Sequence, residues 1–187
     1  MPRFIAFRAI AASLIAVLLP LTATAGDAPP SGVDAQQTGS VGPSGLPLPR
    51  FVSLKSDRVN ARIGPGISYA VNWLYLKPGL PMEIIQEYDN WRKVRDSDGA
   101  EGWVNQSLLS GKRTALVAPW QKGKDAELKL LSDPETDAGV VALIEPGVVG
   151  KINQCNGDWC EMTFSGTSGW ISQSQVWGAY PGETIKD

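Results

Sequence analysis

The sequence has no histidine and only two cysteines in 187 residues. Without histidine, Ser-His and Cys-His nucleophile pairs are excluded, and so are zinc sites of the usual kinds. Basic residues are also too few for a polyanion partner, since 17 Lys and Arg stand against 19 Asp and Glu. Nucleic-acid binding needs concentrated positive charge, so we expect no nucleic-acid partner, and we expect no metal and no cofactor.

Long helical patterns are missing as well. No segment keeps a helical period for more than one turn, whereas 20 Gly and 14 Pro are present. This composition is typical of short strands divided by turns. The sequence therefore predicts an all-β protein.

The long apolar run of the chain lies near its N-terminus. Ala9 to Leu21 follows Arg3 and Arg8 and precedes the small-residue site Ala23-Thr24-Ala25. The run is short for a membrane span, and the whole pattern is typical of a secretory signal peptide over residues 1–25. An uncleaved anchor is the alternative. We expect cleavage after Ala25, a periplasmic or secreted protein, and no membrane insertion of the mature chain.

Residues 26–49 are rich in Gly, Pro, Ser and Ala and have almost no apolar periodicity. Such a segment buries too little surface to offset its ordering entropy, which predicts a flexible, disordered linker. A proline-rich ligand for a partner, centred on Leu46-Pro47-Leu48-Pro49, is the alternative.

After the linker the chain repeats itself. The landmarks of the first unit are Lys77-Pro78-Gly79, Asp89-Asn90-Trp91 and Glu101-Gly102-Trp103-Val104. The landmarks of the second unit are Glu145-Pro146-Gly147, Gly157-Asp158-Trp159 and Ser168-Gly169-Trp170-Ile171. Three landmarks in one order at a nearly constant spacing indicate an internal repeat.

Each unit has the pattern of short strands. Val59 and Ala61 alternate with Asn60 and Arg62, and Asp96-Ser97-Asp98-Gly99 reverses the chain between two further strands. About sixty residues of this pattern, closed to remove sheet edges, predict a small barrel.

The first unit resembles the bacterial Src-homology-3-like (SH3-like) domain. The resemblance rests on three stretches, Arg58-Val59-Asn60-Ala61-Arg62-Ile63-Gly64-Pro65-Gly66, Asp89-Asn90-Trp91-Arg92-Lys93-Val94 and Glu101-Gly102-Trp103-Val104. It covers residues 50–117, while residues 118–180 look like a second, diverged copy, followed by a tail at 181–187. The resemblance implies two tandem SH3-like β-barrels and a non-catalytic module of the cell envelope, of the kind found on proteins that bind or process peptidoglycan.

Aromatic residues that only the first unit contains mark a candidate ligand site. Tyr69, Trp73 and Tyr75 would form a shallow groove, with Asn60 and Arg62 supplying hydrogen bonds to a peptide or a glycan. Filling of the core by one strand face is the alternative for these aromatics.

Paired carboxylates are the remaining catalytic candidates. Asp96 and Asp98 lie in one predicted turn, and Asp133, Glu135 and Asp137 lie in another. Acidic residues in turns are normally exposed and ordinary in their acidity, which favours a surface role over acid–base catalysis. We therefore expect no enzyme activity.

Cys155 and Cys160 flank Asn156-Gly157, a pair that favours tight chain reversal. In an exported chain with no other thiol, this spacing predicts a disulfide across a hairpin. A redox-active pair is the alternative, although the spacing departs from Cys-x-x-Cys.

The apolar run Ala115-Leu116-Val117-Ala118 would be exposed on a free linker. It predicts that the two barrels contact one another around Leu116 to Trp120, with Trp120 and Trp177 as candidates for the packing residues.

These features together favour a binding module of the cell envelope. We expect its partner to be a cell-wall peptide or glycan, that is, peptidoglycan or its peptide stems. The alternative is an interaction scaffold for a secreted or membrane protein of the envelope.

Overall fold

The computed structural model describes residues 39–186. This range consists of strands, turns and short 3-10 helices at Gln106–Leu108, Pro119–Gln121 and Gln173–Gln175, which confirms the all-β prediction. No helix within it has the length and apolar character needed to cross a membrane. The predicted signal peptide and residues 26–38 of the predicted linker lie outside the described residues.

A small hairpin comes first in the described chain, and it is followed by a seven-stranded sheet. The hairpin strands are β1 (Ser40–Val41) and β2 (Pro47–Leu48). The sheet strands are β3 (Arg50–Leu54), β4 (Val59–Arg62), β5 (Val71–Tyr75), β6 (Pro81–Tyr88), β7 (Trp91–Arg95), β8 (Glu101–Asn105) and β9 (Leu109–Ser110). They pair antiparallel in the order β5-β4-β8-β7-β6-β3-β9.

The second sheet repeats this order. Its strands are β10 (Thr114–Val117), β11 (Leu128–Leu131), β12 (Val140–Ile144), β13 (Val149–Asn156), β14 (Trp159–Phe164), β15 (Thr167–Ser172), β16 (Val176–Trp177) and β17 (Thr184–Ile185). The order is β12-β11-β15-β14-β13-β10-β16, with β17 added beside β13. Strand for strand, this matches the first sheet, so the prediction of two tandem β units is confirmed.

Each barrel has its own apolar core. Val59, Ala61 and Val94 are fully buried in the first, together with Met82 and Val104. Leu130, Met162 and Ile171 hold the corresponding place in the second. The polar residues that alternate with them face outward, as the period of two residues in a strand requires.

The Gly-Trp pair that both copies share has a packing reason. A Cβ on Gly102 would press against the methyl group of Ala61, and a Cβ on Gly169 would meet the backbone of Leu131. The strands carrying these glycines cross close to β4 and β11, respectively, so a side chain has no room there.

The predicted boundary between the barrels was wrong by one short strand. We placed it after Val117, but Thr114–Val117 pairs with β13 and β16 of the second sheet. This strand occupies the position that Arg50–Leu54 has in the first sheet. Its apolar residues are therefore the first core strand of the second barrel.

The predicted C-terminal tail is also part of the fold. Ile185 pairs with Cys155, and Thr184 pairs with Asn156, at the edge of the second sheet. Glu183, in the same segment, forms an ion pair with Arg113 at 2.7 Å. The residues that make these contacts lie far apart in the sequence, so the composition of the short polar tail does not predict them.

The prediction of a disordered linker was wrong for residues 39–49. Ser40 and Val41 pair with Leu48 and Pro47 to form the hairpin. Ser44, at the hairpin turn, donates hydrogen bonds from its backbone N and its Oγ to the Glu87 carboxylate, at 2.9 and 2.8 Å. The composition of the segment could not show this order, because the acceptor lies in β6.

Glu87 fastens the hairpin to the first barrel. Its side chain is only 1% exposed, and it accepts a 2.6 Å hydrogen bond from Arg50 and lies 3.2 Å from Arg92. Burial raises the pKa of Glu87, but the hydrogen bonds from Ser44 and Arg50 outweigh burial and lower the pKa to about 2. The carboxylate is charged at every physiological pH.

Cys155 and Cys160 form the predicted disulfide. Their Cα atoms are 4.1 Å apart, at directly paired positions of β13 and β14. Both residues are buried in the second core. The bond thus links two strands next to their turn.

The two barrels contact one another through an aromatic cluster around Phe51. Its ring centroid lies 5.0 Å from that of Trp177 and 4.6 Å from that of Tyr180. The Tyr180 hydroxyl donates to Glu83 at 2.9 Å, and Thr114 donates to the Gly79 carbonyl at 2.7 Å. The predicted contact between the barrels is thus present.

The residues that make this contact differ in part from those predicted. Leu116 is buried and Trp177 packs on Phe51, as expected, whereas Trp120 is 53% exposed. Tyr180 and Phe51 were not predicted as contact residues.

Replacing Glu87 with Gln should lower the free energy of unfolding at pH 7 by about 2 to 3 kcal/mol, because a pKa shift of this size stabilises the charged, folded form. Because the pKa of Glu87 is lower in the folded state, its carboxylate contributes fully to stability above the unfolded pKa near 4.5. This contribution is lost as the pH falls toward 2, so the difference in stability between the variant and the parent should shrink between pH 4.5 and pH 2. Urea unfolding at pH 7 and at pH 3 measures the loss of stability and its dependence on pH. Glu101→Gln, which removes exposed ion pairs, should cost less than 1 kcal/mol; equal losses would refute the role of Glu87.

Replacing both Cys155 and Cys160 with Ser should lower stability by about 1 to 2 kcal/mol and the melting temperature by a few degrees, because the closed loop is short. Calorimetry with and without reductant is the measurement. The reductant should lower the melting temperature of the parent and leave that of the double variant unchanged. Two titratable thiols in the native exported protein would contradict the bond.

Phe51→Ala should lower stability by about 3 kcal/mol and separate the unfolding of the two barrels, since Phe51 packs on both Trp177 and Tyr180. Calorimetry should then show two transitions. Tyr88→Ala, at an aromatic that is 61% exposed, is the matched control and should leave one transition. A single transition for Phe51→Ala would show that the barrels are coupled elsewhere.

Candidate ligand groove between the barrels

A groove of about 300 Å³ lies where the two barrels meet. The first barrel contributes its aromatic wall, with Trp73 and Tyr75, and the second contributes Leu116 and Pro119. This volume is at the lower end of the range for ligand pockets, which is about 300 to 1,000 Å³. The groove is therefore large enough for a small ligand or for part of a larger one.

The β4–β5 hairpin places the aromatic wall. Trp73 pairs with Ala61 and Tyr75 pairs with Val59, so both aromatics share the face that the core residues of β4 occupy. Tyr75 is buried, whereas Trp73 lies farther along the strand and is 56% exposed. The ring centroids of Trp73 and Tyr75 are 6.4 Å apart. An exposed tryptophan beside a buried tyrosine offers an apolar surface on which a ligand can stack.

Asp96 fixes the polar end of the Tyr75 side chain. The tyrosine hydroxyl donates to Asp96 Oδ2 at 2.9 Å, while Oδ1 accepts from the backbone N of Asp98 and of Ala100. Burial raises the pKa of Tyr75, and the nearby Asp96 carboxylate raises it further. The phenol therefore keeps its proton, and these hydrogen bonds join the predicted turn at residues 96–99 to the edge of the groove.

The second barrel forms the opposite wall. Leu116 is in β10, and the chain then passes through Ala118, whose φ of 32° turns it sharply before Pro119. Lys122 follows this turn, and its aliphatic part passes over Gly147. Lys122 thereby lines the groove, as does Lys77 of the first barrel.

The structure separates the five predicted site residues into two groups. Trp73 and Tyr75 line the groove. Asn60 and Arg62 alternate with the buried residues of β4 and so lie on the other face of the sheet, where Arg62 donates to the Tyr69 carbonyl at 2.6 Å. The five residues therefore do not form one continuous surface.

Tyr69 folds back over the Gly64-Pro65-Gly66 loop. A Cβ on Gly64 would collide with its ring, and a Cβ on Gly66 would press against it. The glycines are needed so that the tyrosine can cover the loop backbone. Part of this motif therefore has a packing role.

Most groove residues were not predicted as site residues, and Lys77, Asp98, Leu116 and Lys122 are among them. The apolar run at Leu116 predicts a buried junction, and Asp98 belongs to the predicted turn at residues 96–99. Nothing in the sequence assigns Lys77 and Lys122 to a common site, because they belong to different barrels. In the part of the chain that the structure describes, no cluster of acidic and cysteine side chains is arranged to hold a metal ion.

Comparison with known proteins gives one curated relative and several solved structures. The protein named "Putative N-acetylmuramoyl-L-alanine amidase YrvJ" from Bacillus subtilis (strain 168) is 24% identical over 128 residues. The match covers 66% of this chain but 24% of that protein, so the chain spans about a quarter of its relative.

Two structures from Trichomonas vaginalis, NlpC2 and NlpC1, also match. They are 13% and 14% identical, cover 69% and 74% of this chain and 48% of each of their own chains, and each has a TM-score of 0.31. At this TM-score neither adds to the assignment.

The decisive comparison is with a domain family. The bacterial SH3 domain family matches residues 55–111 and, separately, residues 124–178. These two matches fall on the two sheets of identical strand order. The chain therefore belongs to the bacterial SH3 domain family and carries two copies of its domain.

Proposed function

We propose that this protein is a non-catalytic binding module of the bacterial cell envelope and that it binds peptidoglycan in the groove between its two barrels. The observation that carries the proposal is the exposed Trp73 above a groove that both barrels build. Membership of the bacterial SH3 domain family supports it, as does the likeness to the protein named "Putative N-acetylmuramoyl-L-alanine amidase YrvJ".

A binding role fits the side chains better than catalysis does. The chain has no histidine, and the groove aspartate nearest its floor, Asp96, already accepts hydrogen bonds from Tyr75 and from two backbone N–H groups. A carboxylate held in this way caps a turn and has little freedom to move a proton. The groove offers stacking and charge, which are means of recognition.

We place the protein outside the cytoplasm. The Cys155–Cys160 disulfide supports this, because such bonds persist in oxidising compartments. The predicted signal peptide points the same way. A periplasmic or secreted location would bring the groove to the cell wall.

Docking of another envelope protein is the second candidate function. The loop after β4 exposes Ile63 and Ile67, which are 64% and 84% exposed, and Val71 at the start of β5 is 46% exposed. Apolar side chains grouped on a surface in this way are typical of protein contacts. In-cell crosslinking from this loop should then return a protein, while the cell-wall assay below should be negative.

Trp73→Ala should reduce cosedimentation of the purified protein with insoluble peptidoglycan sacculi about tenfold. Stacking of a nucleobase on one aromatic side chain is worth about 1 to 3 kcal/mol, and a tenfold change corresponds to about 1.4 kcal/mol. Trp120→Ala is the matched control, since Trp120 is 53% exposed and lies outside the groove. The control should sediment like the parent. Absence of sedimentation of the parent at low salt would refute the proposed function.

A further inference from the structure

The edge of the second sheet has a gap beside β13. β10 pairs with β13 as far as Lys151, and β17 pairs with β13 again at Cys155 and Asn156. Neither β10 nor β17 pairs with Asn153, which lies between these two stretches. The gap is a cavity of about 450 Å³, a volume within the range of ligand pockets. It shares no lining residue with the groove between the barrels.

Positive charge dominates the lining of this cavity. Lys112 and Arg113 come from the connection between the barrels, Lys151 comes from β13, and Lys186 follows β17. None of the described residues that line the cavity is acidic. Like charges gathered in this way repel one another, although acidic residues outnumber basic ones in the chain as a whole. We call this cavity the basic notch, and its lining favours a bound anion.

Arg113 is a fixed part of the basic notch. Its Nη1 and Nη2 donate to the two carboxylate oxygens of Glu183 at 2.7 and 2.9 Å, and Nη2 also donates to the Gly178 carbonyl at 2.7 Å. Across residues 39–186, its buried Nε finds no hydrogen-bond acceptor. Because Glu183 offsets the charge of Arg113, the net positive charge of the basic notch comes from its lysines.

The lysines of the basic notch come from three different segments. The backbone of Lys112 is fixed, because its N–H donates to Ser110 and its carbonyl accepts from the buried Ser53 at 2.8 Å. Lys112 and Lys186 form no ion pair with any other residue in the range 39–186. Both side chains are exposed, so their ammonium groups are available to an anion.

The lining matches a phosphate ester better than a simple carboxylate. A phosphate monoester carries a charge of about −1.5 to −2 at pH 7 and has three strong acceptor oxygens, whereas a carboxylate carries a single charge. Lysine binds phosphate as a point charge, so lysines from three segments can surround one phosphate group. Ile152, which is buried, and Ile185, which is partly buried, add apolar surface for the carbon atoms of an ester.

We propose that the basic notch binds the phosphate group of a phosphate monoester, with the lysines around the phosphate oxygens and the ester carbons against Ile185. This site is separate from the groove and does not depend on the function proposed above. Lys112 precedes β10 and Lys186 follows β17, so a phosphate held by both lysines links the two ends of the second barrel. The bound ester should therefore stabilise β17 against local opening.

The test is an NMR titration of the purified protein with sn-glycerol 3-phosphate, inorganic phosphate and acetate at constant ionic strength. Amide signals of residues 111–113, 151–153 and 185–186 should shift and saturate with both phosphates. Acetate should bind about tenfold more weakly, which corresponds to about 1.4 kcal/mol. Hydrogen exchange in β17 should slow when glycerol phosphate is bound. Absence of a saturable shift, or equal affinity for acetate and the phosphates, would overturn the proposal.

A pair of substitutions tests the lysines themselves. Lys112→Gln combined with Lys186→Gln should weaken the binding of glycerol phosphate about tenfold. Lys124→Gln combined with Lys129→Gln is the matched control, because it removes two exposed charges outside the basic notch. The control should bind glycerol phosphate as the parent does. Equal losses in the two double variants would show general charge attraction and would overturn the site.

Vesicles distinguish a lipid headgroup from a soluble ester as the source of the phosphate. Phosphatidylcholine vesicles with and without phosphatidic acid, whose headgroup is a phosphate monoester, are sedimented with the protein. Sedimentation that requires phosphatidic acid and is lost in the Lys112 and Lys186 double variant would support a lipid source. Saturable binding of glycerol phosphate without sedimentation would support a soluble ester.

Discussion

Phe51 lies between the side chains of Trp177 and Tyr180, and the position of one barrel against the other depends on this packing. Tyr180 also donates a hydrogen bond to Glu83 of the first barrel, and this directional bond helps to fix the orientation of the two barrels. The groove exists only while Leu116 and Lys122 stay opposite Trp73. The aromatic contact thus helps to determine the shape of the groove.

The sequence predicted the fold where its signals were local. The alternation of Val59 and Ala61 with polar residues, and the repeated Gly-Trp pair, reflect strand period and close strand crossing within one barrel. Cys155 and Cys160 are near enough in sequence for their pairing to follow from the turn between them. The prediction failed where order depends on a distant partner, as it does for Ser44, whose acceptor Glu87 belongs to another strand.

The sequence could indicate only part of the groove lining for the same reason. Trp73 and Tyr75 stood out as aromatics on a strand of known period. Whether Arg62 shares their surface depends on which face of β4 it occupies, and alternation along β4 puts it on the face away from Ala61 and Trp73. The sequence could not assign Lys122 to the groove, because it lies there only when the two barrels pack together. No short sequence motif predicts that packing.

Only residues 111–113 separate β9 from β10. A connection this short holds the second barrel at a high effective concentration beside the first, so most of the translational entropy of association is already lost in the covalent chain. A modest aromatic contact is then enough to keep the barrels together. The same two barrels made as separate chains would have to recover that entropy from the contact alone, so the groove is a property of the linked pair and of neither barrel by itself.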